Sequence, residues 1–346
     1  MPAHHEEART DGQRGRPSAS IERLAELADY CTPIALRQVA DLGIADILAT
    51  NPLPVTEIAA RTGTHAPSLL RVLRALASRG LFTEESPERF ANNSLSALLR
   101  TDHPLSMRDS LTPIPSQLRA WSDFGHTVKT GEPAFDHVHG QTEWEYLSTH
   151  PDEAMRFNRS MRSLTVLILR TSIRAYPWTD LGTVVDIGGG DGTFIAGLLT
   201  RYKELRGVVV DLPHVAAAAA ENARKAGLGM RLEIIPGDIF KSLPAGHGGY
   251  ILKFILHAFA DDMAFTILTR VRGAMRADSK LIVIDSLLST GSGADLGRIM
   301  DLQMLATTRG HERTEAEFRE LFAAARLRLS ALVPTRGLPL MEVVPD

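Results

Sequence analysis

The sequence predicts an α/β protein in which a doubly wound, mostly parallel sheet follows a smaller, mostly α-helical N-terminal domain of winged-helix outline. Three observations predict this. Beyond Tyr176, short β-branched runs alternate with Ala- and Leu-rich stretches, the pattern of parallel strands joined by helices. Ahead of it, apolar residues recur at mostly helical spacing and then give way to a short segment that reads as a hairpin. At 346 residues the chain is also too long for one ordinary core and suits two.

Composition sets further bounds. Hydrophobic residues at 44% and charged residues at 23% are ordinary for a globular protein. With 38 Lys and Arg against 41 Asp and Glu, the net charge of -3 argues against a surface built to neutralise phosphates, so no nucleic-acid partner is expected. The single cysteine, Cys31, cannot form an intramolecular disulfide, and no Cys/His spacing matches a structural zinc site, so no metal is expected. Residues 1–19 lack an apolar stretch and read as a disordered tail, neither signal peptide nor anchor, with His4 and His5 solvated. Without a long apolar run, no membrane span is expected, and the expected location is cytoplasmic.

Residues 20–105 form the predicted winged-helix-like domain. From Ile21 to Ala49, Leu24, Leu27, Ala28, Ile34, Ala35, Val39, Leu42, Ile47 and Leu48 make two or three short amphipathic helices, interrupted at Pro33 and Gly43. A helix from Thr56 to Thr62 ends at Gly63, and another from Pro67 to Ser78 buries Leu69, Leu70, Val72, Leu73 and Leu76 and stops at Gly80. Leu81 to Asn92, with Phe82 and Phe90 between charged residues, is the wing. A domain this small cannot bury so apolar a set of helices alone, which predicts a homodimer.

Residues 106–175 are expected to connect the domains and contribute to a substrate pocket. Pro104 to His150 reads as irregular, with Trp121, Phe124, His126, Phe135, Trp144 and Tyr146 lining a pocket or sealing a core. Pro151 starts a long bridging helix striped by Met155, Asn158, Met161, Leu164, Thr165 and Ile168.

Residues 176–346 carry the sheet. Strands are expected over Thr183 to Ile187, Gly207 to Val210, Arg231 to Ile235, Tyr250 to Phe254 and Lys280 to Ile284, with helices such as Phe194 to Tyr202 and Val215 to Ala226 between them. Thr314 and Glu317 form a capping box for a helix to Ala325, and Leu327 to Val333 with Leu338 to Val344 closes as a hairpin.

The first expected strand runs through Asp186 into Gly188-Gly189-Gly190-Asp191-Gly192 and then a helix. Glycines there let a ligand approach the backbone at the carboxyl ends of the strands, and the helix N-terminus offers free N–H groups. A dinucleotide fingerprint would place Gly or Ala where Thr193 stands. The spacing Asp186, Gly188, Gly190, Gly192 instead resembles the first motif of S-adenosylmethionine-dependent methyltransferases. Asp211, ending the second strand, can accept bonds from ribose hydroxyls of either ligand. Asp238, after the third strand in Gly237-Asp238-Ile239-Phe240, suits an adenine amine, with an apolar side chain against the ring. His257 lies just past the fourth strand on the same edge.

With Gly310-His311-Glu312-Arg313-Thr314 added to these motifs, the chain from about Ile21 onward resembles the small-molecule O-methyltransferases, which include plant caffeate and flavonoid enzymes and bacterial antibiotic-tailoring enzymes. The resemblance implies a Rossmann-like catalytic domain that binds S-adenosyl-L-methionine, releases S-adenosyl-L-homocysteine and methylates a hydroxyl of an aromatic natural-product intermediate. It implies that Asp186, Gly188, Gly190, Asp211, Leu212, Gly237, Asp238, Ile239, Phe240 and Lys253 hold the donor. It further implies that His257 is the general base, that Asp285 and Glu312 orient it, and that the N-terminal domain dimerises and covers the partner's pocket. The chain departs from the family's usual pattern at Ala258 and Phe259, and has Asp285 where many relatives carry Glu. Candidate walls of the acceptor pocket are Trp121, Phe124, Phe157, Met161, Met300 and Met304, with Asn158 and Asp301 as polar contacts.

Two other readings compete. Arg61, Arg71, Arg74 and Arg79 near the helix-turn-helix outline would suit a DNA-binding regulator, but Glu57, Glu84, Glu85 and Glu88 crowd the same region. Nitrogen or carbon methylation, or a non-methylating use of the cofactor, would keep the fold and change the reaction. Retention of His257 with Glu312 favours oxygen, because a phenol needs a base and an amine lone pair does not.

Overall fold

The computed structural model describes residues 17–346 apart from Ser292 and Ala294. The expected tail lies outside the described residues as far as residue 16, and its last three residues already belong to the first helix. The chain divides after Arg100 into two compact units.

In the first unit, α1 (Pro17–Leu27), α2 (Cys31–Asp41) and α3 (Ile44–Ile47) precede a short strand β1 (Leu53–Pro54). Pro33 does not interrupt α2 as expected; it lies in the first turn, whose N–H groups have no intrahelical partner to lose. Gly43 does break the chain, in left-handed conformation at φ 67°. α4 (Val55–Thr62) and α5 (Ala66–Ser78) follow, then the wing strands β2 (Thr83–Ser86) and β3 (Arg89–Ala91), which form a three-stranded sheet with β1. Ile44, Ile58, Leu73, Phe82 and Phe90 are its fully buried centre, whereas Leu70 and Val72 are only half-buried. Arg61 pairs with Glu57 and Arg74 with Glu84, so these two arginines neutralise neighbouring acids. Ile21, Leu24 and Leu27 along α1 and Tyr30 just beyond it are exposed.

The second unit opens with five short helices where an irregular segment was expected: α6 (Arg108–Leu111), α7 (Pro115–Ser122), α8 (Phe124–Thr130), α9 (Ala134–His139) and α10 (Glu143–Thr149). None exceeds eight residues, too short for a 3.6-residue period to show in the sequence. α11 (Pro151–Ser172) has proline in its first turn, as expected, and lies wholly within this unit. Of its predicted stripe, Thr165 and Ile168 are buried, while Met155 and Asn158 face solvent.

The sheet strands are β4 (Thr183–Ile187), β5 (Arg206–Asp211), β6 (Leu232–Pro236), β7 (Gly249–Lys253) and β8 (Lys280–Ile284), and later β11 (Leu327–Val333) and β12 (Leu340–Pro345). A two-residue parallel pair, β9 (Leu287–Leu288) with β10 (Arg313–Thr314), stands apart. α12 (Thr193–Arg201), α13 (Pro213–Lys225), α14 (Asp261–Ala274), α15 (Leu296–Thr307) and α16 (Glu315–Ala324) complete the unit. The seven strands lie in the order β11-β12-β8-β7-β4-β5-β6, parallel from β6 to β8, with β12 antiparallel to its neighbours. The expected capping box of Thr314 and Glu317 forms, and Thr142 with Glu145 makes a second. Successive strands run outward in opposite directions from β4 and β7, so the crevice at their carboxyl ends is where such a sheet binds ligands. No helix of the described residues is long and apolar enough to cross a membrane.

Candidate active site

β4 ends in the glycine turn. Gly188 donates to the Val210 carbonyl at 2.8 Å, and Gly190, at φ 62°, donates its N–H to Asp211 Oδ2 at 2.8 Å. Leu212 donates to the other Asp211 oxygen, which fixes that carboxylate at the end of β5 while Leu212 itself stays exposed. Burial pushes the Asp211 carboxyl up, opposed by these two N–H bonds. Asp186 lies beneath the turn, 1% exposed, with neither oxygen partnered among the described residues. A Cβ on Gly189 would come within 2.8 Å of its carboxyl carbon, so the turn and the acid are fitted to each other. Burial pushes Asp186 up to about 7.

Lys253 ends β7 as a buried ammonium that donates to Thr165 Oγ1 of α11 at 3.0 Å. Burial lowers its pKa, opposed by the charges of Asp186 and Asp285. Gly237 donates to the Asp211 carbonyl, and Asp238 accepts from the Phe240 N–H at 2.9 Å and pairs with Lys241, which together hold it below the usual range. Ile239 and Phe240 pack against the sheet core. A backbone cradle without Cβ atoms, an anchored carboxylate at a strand end and an orphaned buried acid fit an adenosyl donor carrying hydroxyls and an ammonium.

Beyond Lys253 the chain takes a left-handed step at Phe254, φ 55°, into a short 3₁₀ turn, Leu256–Ala258, that carries His257. The imidazole is 5% exposed, stacks on Phe254 at 5.2 Å between centroids, and shares a 2.7 Å hydrogen bond between Nδ1 and Glu312 Oε1. That contact assigns the Nδ1 proton to the Glu312 side and leaves Nε2 as the basic nitrogen. Burial pushes the imidazole pKa down, but the Asp285 charge and the Glu312 bond and charge outweigh it, and the net direction is up. Asp285 is fully buried, with both oxygens unpartnered among the described residues, and burial pushes it up to about 6.

Pairing of β9 with β10 explains how two acids distant in sequence reach one ring: Arg313 lies opposite Leu287, which brings the residues just before each strand together. Reading the sequence missed three supports of this arrangement. Buried Arg313 donates to the Leu256 and Phe259 carbonyls and to Asp261, which clamps the turn bearing His257. Gly310 packs so closely on residues 257–259 that a Cβ would overlap the His257 carbonyl oxygen. Asp301, expected as a polar contact to the acceptor, also accepts the Glu312 N–H at 2.8 Å through Oδ1. Arg313 and Gly310 belong to the Gly310-His311-Glu312-Arg313-Thr314 motif, but only packing reveals their contacts.

The expected acceptor residues fall into separate groups. Phe157 meets Trp144 edge-on at 5.8 Å, Trp144 approaches Phe259 at 6.2 Å, and Phe259 meets Phe240 at 5.3 Å, a line of rings leading from α11 toward the segment after β6. Trp144 was seen only as part of an aromatic-rich stretch. Trp121 packs on Phe124 at 4.9 Å and donates its indole N–H to Gln303 of α15 at 2.8 Å, near buried Met304 in the same helix. Met161 and Met300 are half-buried. Asn158 lies elsewhere, on a cavity of about 420 Å³ that Arg159, Arg162, Asp191 and His214 also line.

Comparison with known proteins identifies the family. Residues 121–328 match the model of the O-methyltransferase domain, and residues 25–102 that of the O-methyltransferase dimerisation domain. The chain is 39% identical to the phenazine O-methyltransferase PhzM of Lysobacter antibioticus over 95% of this chain and 97% of that protein. It is 36% identical to the mitomycin biosynthesis 6-O-methyltransferase of Streptomyces lavendulae over 89% of each. An O-methyltransferase from neocarzinostatin biosynthesis, solved with S-adenosylmethionine and 2-hydroxy-5-methyl naphthoic acid, superposes with a TM-score of 0.82 at 35% identity, covering 93% of this chain and 98% of that one. The chain therefore belongs to the O-methyltransferase family and is an S-adenosylmethionine-dependent O-methyltransferase that carries the family's dimerisation domain.

Proposed function

We propose that this enzyme methylates a phenolic hydroxyl of an aromatic natural-product intermediate, with His257 as general base, and that it works as a homodimer without nucleic-acid or membrane partners. The observation that carries this reading is the 2.7 Å contact of buried His257 with Glu312, beside a second buried acid, Asp285. The aromatic acceptors named for the similar enzymes and the rings of Phe157, Trp144 and Phe259 support the substrate class. The dimerisation-domain match and the exposed apolar face of α1 support the homodimer.

A phenol with a pKa of about 10 is mostly protonated at neutral pH. Nε2 of His257 takes that proton as the oxygen attacks, a contribution of about 10²–10⁴-fold. Glu312 holds the ring through Nδ1, and with Asp285 it stabilises the imidazolium that results. S-adenosylmethionine supplies an electrophilic methyl group when bound. Asp186, Asp211, Asp238 and Lys253, with the glycine turn, orient it, and positioning of the two reactants provides much of the remaining acceleration.

The test is methyl transfer, followed as a 14 Da mass gain on a panel of phenolic polyketides, phenazines and naphthoates, with wild type and His257→Ala. Binding of S-adenosylhomocysteine is measured on both. Retained binding with a mass gain lost in the variant supports the reading. A fully active variant, or mass gain only on amine or carbon acceptors, overturns it.

A further inference from the structure

We infer that Asp123, His126 and His137 form a binding site for a divalent transition-metal ion, separate from the methyl-transfer centre. Asp123 lies at the junction of α7 and α8, His126 in the first turn of α8, and His137 in α9. One ligand atom from each falls within 4.8 Å of the other two. Sequence spacing alone did not show the cluster, because its members belong to separate short helices.

Two features mark it as more than a surface ion pair. His137 Nδ1 contacts Asp123 Oδ2 at 2.7 Å, which places one imidazole against a carboxylate. The His126 ring stacks on the His137 ring at 3.9 Å and 7°, and among the described residues neither His126 ring nitrogen has a hydrogen-bond partner. Stacking holds the two imidazoles side by side, with ligand atoms of both rings and of Asp123 close enough to share one ion. Two imidazoles and one carboxylate suit zinc, with water completing a tetrahedron. Parallel rings cannot both point at one ion, so binding requires each to tilt about its soft terminal torsion while the ion replaces the proton between Asp123 and His137. A bound ion then ties the α7–α8 junction to α9, steadying the turn that also carries Trp121 and Phe124.

The experiment uses the full-length chain stripped with EDTA. Cobalt(II) is titrated in as a spectroscopic probe, zinc(II) is added in competition, and the thermal midpoint is measured with and without zinc. His126→Ala and His137→Ala are made in parallel; His137 is exposed and His126 half-buried on short helices. The site is supported if one cobalt per chain gives intense visible bands that zinc displaces, if zinc raises the midpoint, and if either substitution weakens binding tenfold or more. Absence of the bands overturns it. So does binding that both variants retain, which would assign the ion to other histidines such as the adjacent pair His4 and His5. The outcome is independent of methyl transfer.

Discussion

The Glu312 amide donates to Oδ1 of Asp301 at 2.8 Å, so the acid that holds the His257 ring is itself held by α15. Replacing Asp301 by Ala leaves a buried N–H without its acceptor, a cost of about 1–2 kcal/mol that falls on ring alignment. We expect kcat to drop roughly tenfold with KM little changed in Asp301→Ala, and Asp301→Asn, which keeps the acceptor oxygen, to stay near wild type. Steady-state kinetics decide; a rise in KM alone would identify Asp301 as an acceptor contact.

With His257 as the proposed general base, the acid limb of activity is expected to report its titration. A general base works in its neutral form, so a pKa raised above the free imidazole value of about 6.5 confines activity to higher pH. The Asp285 charge is the leading cause that raises it. Asp285→Asn removes that charge and should move the limb of kcat/KM toward lower pH by roughly one unit. An unmoved limb would show that the Asp285 charge does not govern the ring.

Gly310 has no room for a side chain against the turn that bears His257. In Gly310→Ala the clash must displace residues 257–259, costing about 1–3 kcal/mol. Calorimetry should show a thermal midpoint lower by several degrees, and methyl transfer should fall further than stability alone explains, while S-adenosylhomocysteine binding persists.

Glu143 in α10 is buried and accepts from Gln117 at 2.6 Å, and burial pushes its carboxyl up to about 7 from 4.5. The folded protein therefore holds a proton that the unfolded chain releases, and stability falls as pH rises from about 4.5 to 7. Glu143→Gln keeps an acceptor oxygen without the charge. It should gain on the order of 1–3 kcal/mol relative to wild type at pH 8 and show little difference at pH 4.5, read from denaturant melts at both pH values.

Much of this protein was legible in one dimension. Strand–turn–helix patterning is local, so β4, β8 and β11 began and ended where the residues predicted, and the Thr314–Glu317 capping box formed as expected. The glycine turn, Asp211 and His257 were readable for the same reason: each lies at a strand end, and strand ends in such a sheet share one edge. Helices α6–α10 were not legible, because segments of less than about two turns leave no period to detect. Contacts between distant segments belong to tertiary structure alone. Sequence offered Asp301 only as a contact to the acceptor, and the fold shows that one of its oxygens accepts the Glu312 N–H; sequence named Arg313 only as part of a motif, and packing made it the clamp on the His257 turn. Which acid reaches which base depends on the two-residue pairing of β9 with β10, too short to announce itself and decided by how the sheet and its helices close.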